Sequence, residues 1–133
     1  MARHVFLSFV EEDLDLVNLF RGQAKNANND LEFDDYSVKE PYNSTNADYI
    51  KQQIRSKLDN VSVTVCLIGH STHKSDWVDW EIIASSAKEK GLVGVRLHSS
   101  QNDISPPSLI QQGGTIVNWK IDDVINAIEK AAG

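Results

Sequence analysis

The run Val61 to Ile68, VSVTVCLI, is apolar almost without a break, with Ser62 and Thr64 as its only polar residues. A strand of that kind has no polar side to offer water, so it must be covered on both faces, as the central strands of parallel sheets are. Gly69 closes it, and four other β-prone runs can pair around it: Val5 to Phe9, Leu31 to Tyr36, Leu92 to Leu97 and Thr115 to Trp119. Helical periods lie between them. Leu16, Val17, Phe20, Ala24 and Ala27 share one side of a helix that Asp13 or Asp15 can cap. Ala47, Ile50, Ile54 and Leu58 share one side of a second, which a Thr45/Asp48 capping box opens and Asp59-Asn60 ends. A third starts at Ser75, and Val124, Ile125, Ile128, Ala131 and Ala132 mark a closing one. Strands alternating with helices imply right-handed crossovers and a parallel sheet with helices on both faces. The expectation is a flavodoxin-like α/β fold of order 2-1-3-4-5, one domain over residues 1–133.

The connections differ in character. Leu31 to Tyr36 alternates apolar with acidic residues, as a half-exposed edge strand does. The loop 37–46, with Pro41, is long for a strand-to-helix connection and is a candidate binding loop. Residues 99–114 are rich in Ser, Gln, Asn, Pro and Gly around a short Leu109-Ile110 patch and read as a surface excursion.

Charge and cysteine content narrow the partners. Thirteen Lys plus Arg against nineteen Asp plus Glu leave a net charge of -6, without a basic cluster interleaved with aromatics, so no nucleic-acid surface is expected. Cys66, the only cysteine, sits inside an apolar run and reads as a core thiol in a reducing compartment. Val5 to Val10 runs directly into Glu11, Glu12 and Asp13, which suits neither a signal peptide nor a membrane span; a cytoplasmic protein with no membrane contact is expected.

The helix from Ser75 carries the most chemistry. Ser75 caps it, and Asp76 and Asp79 occupy its first turn, where carboxylates suit the exposed N–H groups and the positive dipole end. At 3.6 residues per turn, Ile83, Ala87, Trp80, Ala84 and Trp77 fall in one arc, read as facing a core, with Trp80 nearer its centre and so more buried than Trp77; Asp79, Ser86 and Lys90 fall opposite. Glu81 projects at the edge of the apolar stripe, either as a boundary residue with its head in water or near Lys88, or as a functional carboxylate. Gly91 reads as the helix stop before the Leu92 to Leu97 strand. In such crossover units ligands bind beyond the carboxyl ends of the strands. The switch point between the first and third strands gathers Ser8, Phe9, the 37–46 loop, His70 and the Trp77/Glu81 helix start.

Several motifs are missing. No GxGxxG and no GxxxxGK[ST] is present, and the third strand ends Leu67-Ile68-Gly69 rather than in the Asp a phosphoacceptor receiver needs, which leaves Glu11, Glu12 and Asp13 without that partner. His70 and His73 are three apart, but spacing supplies no third ligand, so no metal is expected. What remains is a carboxylate beside two tryptophans. Those parts suit cleavage at a ribose anomeric carbon, whose transition state is a flat oxocarbenium cation that a carboxylate stabilises and an aromatic wall shields. One carboxylate suffices when the leaving group is already cationic, as the nicotinamide of NAD is.

Val5-Phe6-Leu7-Ser8-Phe9 followed by acids resembles the first box of TIR domains, and Ser75-Asp76-Trp77-Val78-Asp79-Trp80-Glu81-Ile82 resembles their S-x-W-V-x-x-E-[IL] helix. The resemblance covers the first through the fourth strand and is greatest to the short TIR-like proteins of bacterial Thoeris anti-phage systems. It implies a cytoplasmic enzyme of the NAD glycohydrolase or ADP-ribosyl cyclase type, with NAD as substrate and no cofactor. Such an enzyme would stay silent until a phage-derived trigger, self-associate through TIR surfaces, and activate a separate effector through a diffusible cyclic or conjugated ADP-ribose. It also implies Glu81 as the catalytic residue, with Ser8, Phe9 and Trp77 lining the pocket; Tyr42 and Asn43 in the 37–46 loop, His70, and Asp35 at the end of the second strand are further substrate-binding candidates by their place at the switch point. The loop SVKEPYNSTN lacks the Arg or Gly-rich turn of many TIR domains, and the second strand matches the usual Leu-x-Val-Phe-Asp only through Asp34 or Asp35. Many TIR domains are scaffolds, so a non-catalytic interaction module is the alternative, and a nucleoside-type ribosyltransferase is a third reading.

Overall fold

The computed structural model describes residues 3–36, 41–98 and 102–133. Five strands, β1 (Arg3–Ser8), β2 (Leu31–Asp34), β3 (Val63–Ile68), β4 (Gly91–Arg96) and β5 (Thr115–Asn118), pair in parallel in the order β2-β1-β3-β4-β5. This is the expected topology, with β2 at one edge and β3, buried at every position, in the middle. The helices are α1 (Leu14–Ala27), α2 (Ala47–Leu58), α3 (Asp76–Ala87), α4 (Pro107–Gln111) and α5 (Ile121–Ala132).

Because strand side chains alternate, each strand feeds two different layers. Val5 and Leu7 of β1, with Val63, Val65 and Leu67 of β3 and Val93 and Val95 of β4, pack under Val17, Phe20 and Ala24 of α1 and Val124 and Ile128 of α5. The other face receives α2, α3 and α4: Ile50, Ile54 and Leu58 pack on Phe6, while Val78, Ile82 and Leu109 pack on Cys66, Ile68 and Leu92. Among the described residues, no helix is long and apolar enough to cross a membrane.

Four local expectations are corrected. Helix α3 turns Val78, Glu81, Ile82 and Ser85 inward and leaves Ile83 44% exposed, with Trp77, Trp80 and Ala84 half-buried and Ala87 exposed. Apolar residues surround this helix, so periodicity did not single out a face, and the large indoles drew the expected arc away from Val78 and Ile82. Gly91 is not its stop. Glu89 takes the left-handed conformation, φ 59°, while Glu89 N–H donates to Ser86 and Lys90 N–H to Ser85, a Schellman ending. Gly91 instead opens β4, where a Cβ would run into the carbonyl of Ala131. The capping box is not formed: Asn46 holds the position before α2, and no side chain caps it; neither Asp13 nor Asp15 caps α1, and Asp13 ends a 3-10 turn at Glu11–Asp13. Finally, the stretch after β4 includes α4, whose Leu109 is fully buried against Gly94; Pro107 at its start suits a short helix that periodicity cannot register.

Candidate active site

At the carboxyl end of β1, alternation sends Ser8 to the α2/α3 face, where it lies in register with Cys66 of β3. The Ser8 hydroxyl donates to Glu81 Oε1 at 2.7 Å in a buried contact. Helix α3 brings the carboxylate there because its start is fixed: Ser75 accepts the Val78 N–H at 3.2 Å, as a cap does. One turn beyond Glu81, the Ser85 hydroxyl donates to the Glu81 carbonyl at 2.7 Å and lies 2.7 Å from Thr64 Oγ1. The two polar departures from an apolar strand and an apolar helix face thus satisfy each other.

Only 4% of Glu81 is exposed, so it is a core carboxylate rather than one at a stripe's edge. Burial pushes its carboxyl up to about 8; the Ser8 hydrogen bond opposes that rise, and the charge of Asp35 adds to it. Burial likewise pushes the Cys66 thiol up, with Glu81 adding to the effect, so Cys66 is an inert buried thiol as expected. Beside Glu81 stands an aromatic group. Trp77 meets Tyr42 edge to face with centroids 5.0 Å apart and Trp80 at 6.3 Å. Lys51 lies 4.5 Å over the Tyr42 ring, and Arg55 lies 5.1 Å over Trp80. Both tryptophans are half-buried.

The expected site residues therefore divide. Ser8 and Glu81 meet on one face; Tyr42 joins Trp77; Asp35 acts on Glu81 through its charge while Arg21 holds it at 2.6 Å. Phe9, one residue beyond Ser8, goes to the opposite layer and packs against the α1/α5 core, which is what a period of two dictates. His70 pairs with Asp103 and stacks on His98, so the contacts it makes are in another group. Asn43 is exposed, and residues 37–40 of the candidate binding loop lie outside the described residues.

Residues 6–102 match the family described as Thoeris protein ThsB, TIR-like domain. The chain belongs to this ThsB family. A Bacillus cereus (strain MSX-D12) protein named "Putative cyclic ADP-D-ribose synthase ThsB1" is 33% identical over 103 residues, 74% of this chain and 54% of that protein. The chain thus spans about half the length of the curated relative it matches. Among solved structures, a 3-dehydroquinate dehydratase-like protein from Bifidobacterium longum aligns with a TM-score of 0.55 at 17% identity, covering 99% of this chain and 96% of that one. The Clostridium botulinum CMP N-glycosidase BcmB aligns at 0.57 and 13% identity, covering 96% and 99%. At such identities these two establish the fold alone.

Within this candidate site of the ThsB-family chain, sequence reasoning missed Thr64, Ser85, Arg21, Lys51 and Arg55. For Thr64 and Ser85 a signal was present: one interrupts the apolar run of β3, and the other follows Glu81 by four residues on the same helix face. The basic residues carry no such mark, because many exposed helix positions are Lys or Arg.

Proposed function

We propose that this ThsB-family chain cleaves the bond between nicotinamide and ribose in NAD and delivers the ADP-ribosyl group into a cyclic or conjugated signal. The reading rests on one observation above all: a single carboxylate, Glu81, held by Ser8 in a dry site one helical turn from Trp77. As the C1′–N bond breaks, its electron pair passes to the pyridinium nitrogen and nicotinamide leaves neutral. The ribose carries the positive charge, which ionised Glu81 stabilises at close range in a low dielectric. A hydroxyl or a ring nitrogen of the ADP-ribosyl group, or another acceptor, then bonds to C1′ and gives up its proton if it carries one. Trp77 supplies a flat wall against which the nicotinamide stacks, and Tyr42, edge to face with it, braces that ring.

Burial of Glu81 also supports a resting state that is silent. Ribose cannot approach a carboxylate that is 4% exposed until the side chains around it shift, and a phage-derived trigger or self-association would supply that shift. In this reading the protein works in the cytoplasm and its diffusible product activates a separate effector. The name of the Bacillus cereus relative, "Putative cyclic ADP-D-ribose synthase ThsB1", supports the same class of product.

The test is Glu81→Gln, which keeps size and hydrogen-bonding reach and removes the charge. Turnover of NAD, followed by mass spectrometry on protein from phage-challenged cells, should fall by roughly a hundredfold to a thousandfold. A folded Glu81→Gln protein with wild-type product formation would overturn the assignment and favour the scaffold reading.

A further inference from the structure

A second polar group forms where β3 and β4 end, from residues far apart in sequence. His70 follows β3, His98 follows β4, and Asp103 lies beyond it. The His70 and His98 rings stack face to face, centroids 4.2 Å apart and planes within 3°. His70 Nδ1 lies 2.7 Å from Asp103 Oδ1, and one ligand atom from each of the three residues falls within 4.8 Å of the others. Arg96 holds the loop in place by donating to the Asp103 backbone carbonyl at 2.9 Å.

Two carboxylate oxygens here lack partners. Asp103 Oδ2 is buried with no hydrogen bond among the described residues, although its side chain is only 11% exposed. Asp13, at the end of the 3-10 turn after β1, is 6% exposed, presses against Gly69 so closely that a Cβ there would collide with its carboxylate, and leaves Oδ2 buried and unmatched. It lies within electrostatic reach of His70, His98 and Asp103. A buried carboxylate oxygen with nothing to accept costs free energy that a cation would return.

We propose that His70, His98 and Asp103 form a binding site for a divalent transition metal of the zinc class, with Asp13 as an outlying carboxylate that compensates its charge. Two imidazoles and one carboxylate are a donor set that borderline metals such as Zn²⁺ and Co²⁺ take, whereas Mg²⁺ and Ca²⁺ favour oxygen alone. The metal replaces the proton shared by His70 and Asp103, and that proton goes to solvent. Imidazole lone pairs lie in the ring plane, so one of the two stacked rings turns out of the stack for both to reach one ion; three protein ligands then leave a fourth position for water. The bound ion would tie together the segments that follow β3 and β4. His73, the neighbour that sequence spacing suggested, is not part of the group; its Nδ1 is buried elsewhere without a partner.

The experiment uses the full chain, stripped with EDTA, dialysed and titrated with Co²⁺ and then Zn²⁺. One Co²⁺ per chain should bind with the visible absorption of low-coordinate cobalt, Zn²⁺ should displace it, and the melting temperature should rise with metal concentration. His98→Ala and Asp103→Ala should each weaken uptake about a hundredfold, and His73→Asn should leave it intact. Should a variant fail to fold, imidazole nitrogen shifts in the wild-type chain decide: Zn²⁺ should move His70 and His98 together and leave His4 and His73 in place. No uptake, uptake that survives His98→Ala, or shifts confined to His4 or His73 would each overturn the site.

Discussion

The two faces of the sheet are built from the same strands and obey different rules. On the α1/α5 side the packed cluster is built from apolar side chains, Val5, Leu7, Val65, Val95, Phe20 and Ile128 among them, and the one polar atom found against it is the indole Nε1 of Trp119, buried without a partner among the described residues. On the α2/α3 side Ser8, Thr64, Glu81 and Ser85 are buried among Phe6, Ile68, Val78 and Ile82. The first face only has to exclude water, and any well-fitting apolar set would serve. The second carries desolvated polar groups that cost stability and are kept in place by one another. A single strand shows the division: in β1, odd positions hold the fold together, and the last even position, Ser8, holds the carboxylate.

This contrast can be broken by experiment. The largest effect should come from the apolar face. Phe20→Ala removes a fully buried ring that contacts Phe33 and Trp119 at centroid distances of 6.1 and 6.0 Å. It should cost about 3 to 5 kcal/mol in urea unfolding and leave turnover per folded molecule unchanged. A loss of turnover beyond the unfolded fraction would show that the two layers are not separable.

Next is the pH profile. Glu81 must be ionised to stabilise a cation, and its carboxyl sits at about 8 in the free protein, so kcat/KM should climb with pH until about that value. Cationic nicotinamide beside Glu81 favours ionisation, so the rise in kcat should lie at lower pH. Ser8→Ala removes the hydrogen bond that opposes the upward shift, which should move the kcat/KM limb to higher pH and lower the neutral-pH value by about tenfold, one unit of pKa. A limb that stays put would detach Ser8 from the carboxylate.

The last effect concerns the pH dependence of stability. Glu81 ionises near 4.5 in the unfolded chain and at about 8 in the folded one. Below the lower value both states hold the proton; between the two only the folded state does, so wild-type stability declines as pH rises through this window and levels off above it. Glutamine does not titrate. The melting temperature of Glu81→Gln should therefore gain on wild type between pH 5 and pH 8, by roughly 10 °C, since the two values imply about 3 to 4 kcal/mol over that span. A constant difference across that range would mean the carboxylate is not desolvated.

The sequence revealed the strand order because β-prone runs and helical periods alternate cleanly and parallel crossovers admit few arrangements. It revealed Ser8 and Glu81 because each belongs to a short motif. The inward face of α3 was not legible, since a helix with Trp77, Val78, Trp80, Ile82 and Ile83 is apolar on nearly every side. Phe9 was grouped with Ser8 by proximity, although alternation separates neighbours. The His70, His98 and Asp103 group left no trace in spacing, because its members come from different connections that only the folded sheet brings together.

Ser8 and Glu81 stand 73 positions apart along the chain, and that interval has a meaning during biosynthesis. Ser8 leaves the ribosome long before Glu81 exists, and β1 cannot take its place beside β3 until α2 has been made. The hydroxyl has no carboxylate to hold until α3 has emerged and docked. A growing chain, or one cut short before α3, thus lacks half of the pair, and the ability to consume a dinucleotide would arrive only when synthesis is well advanced.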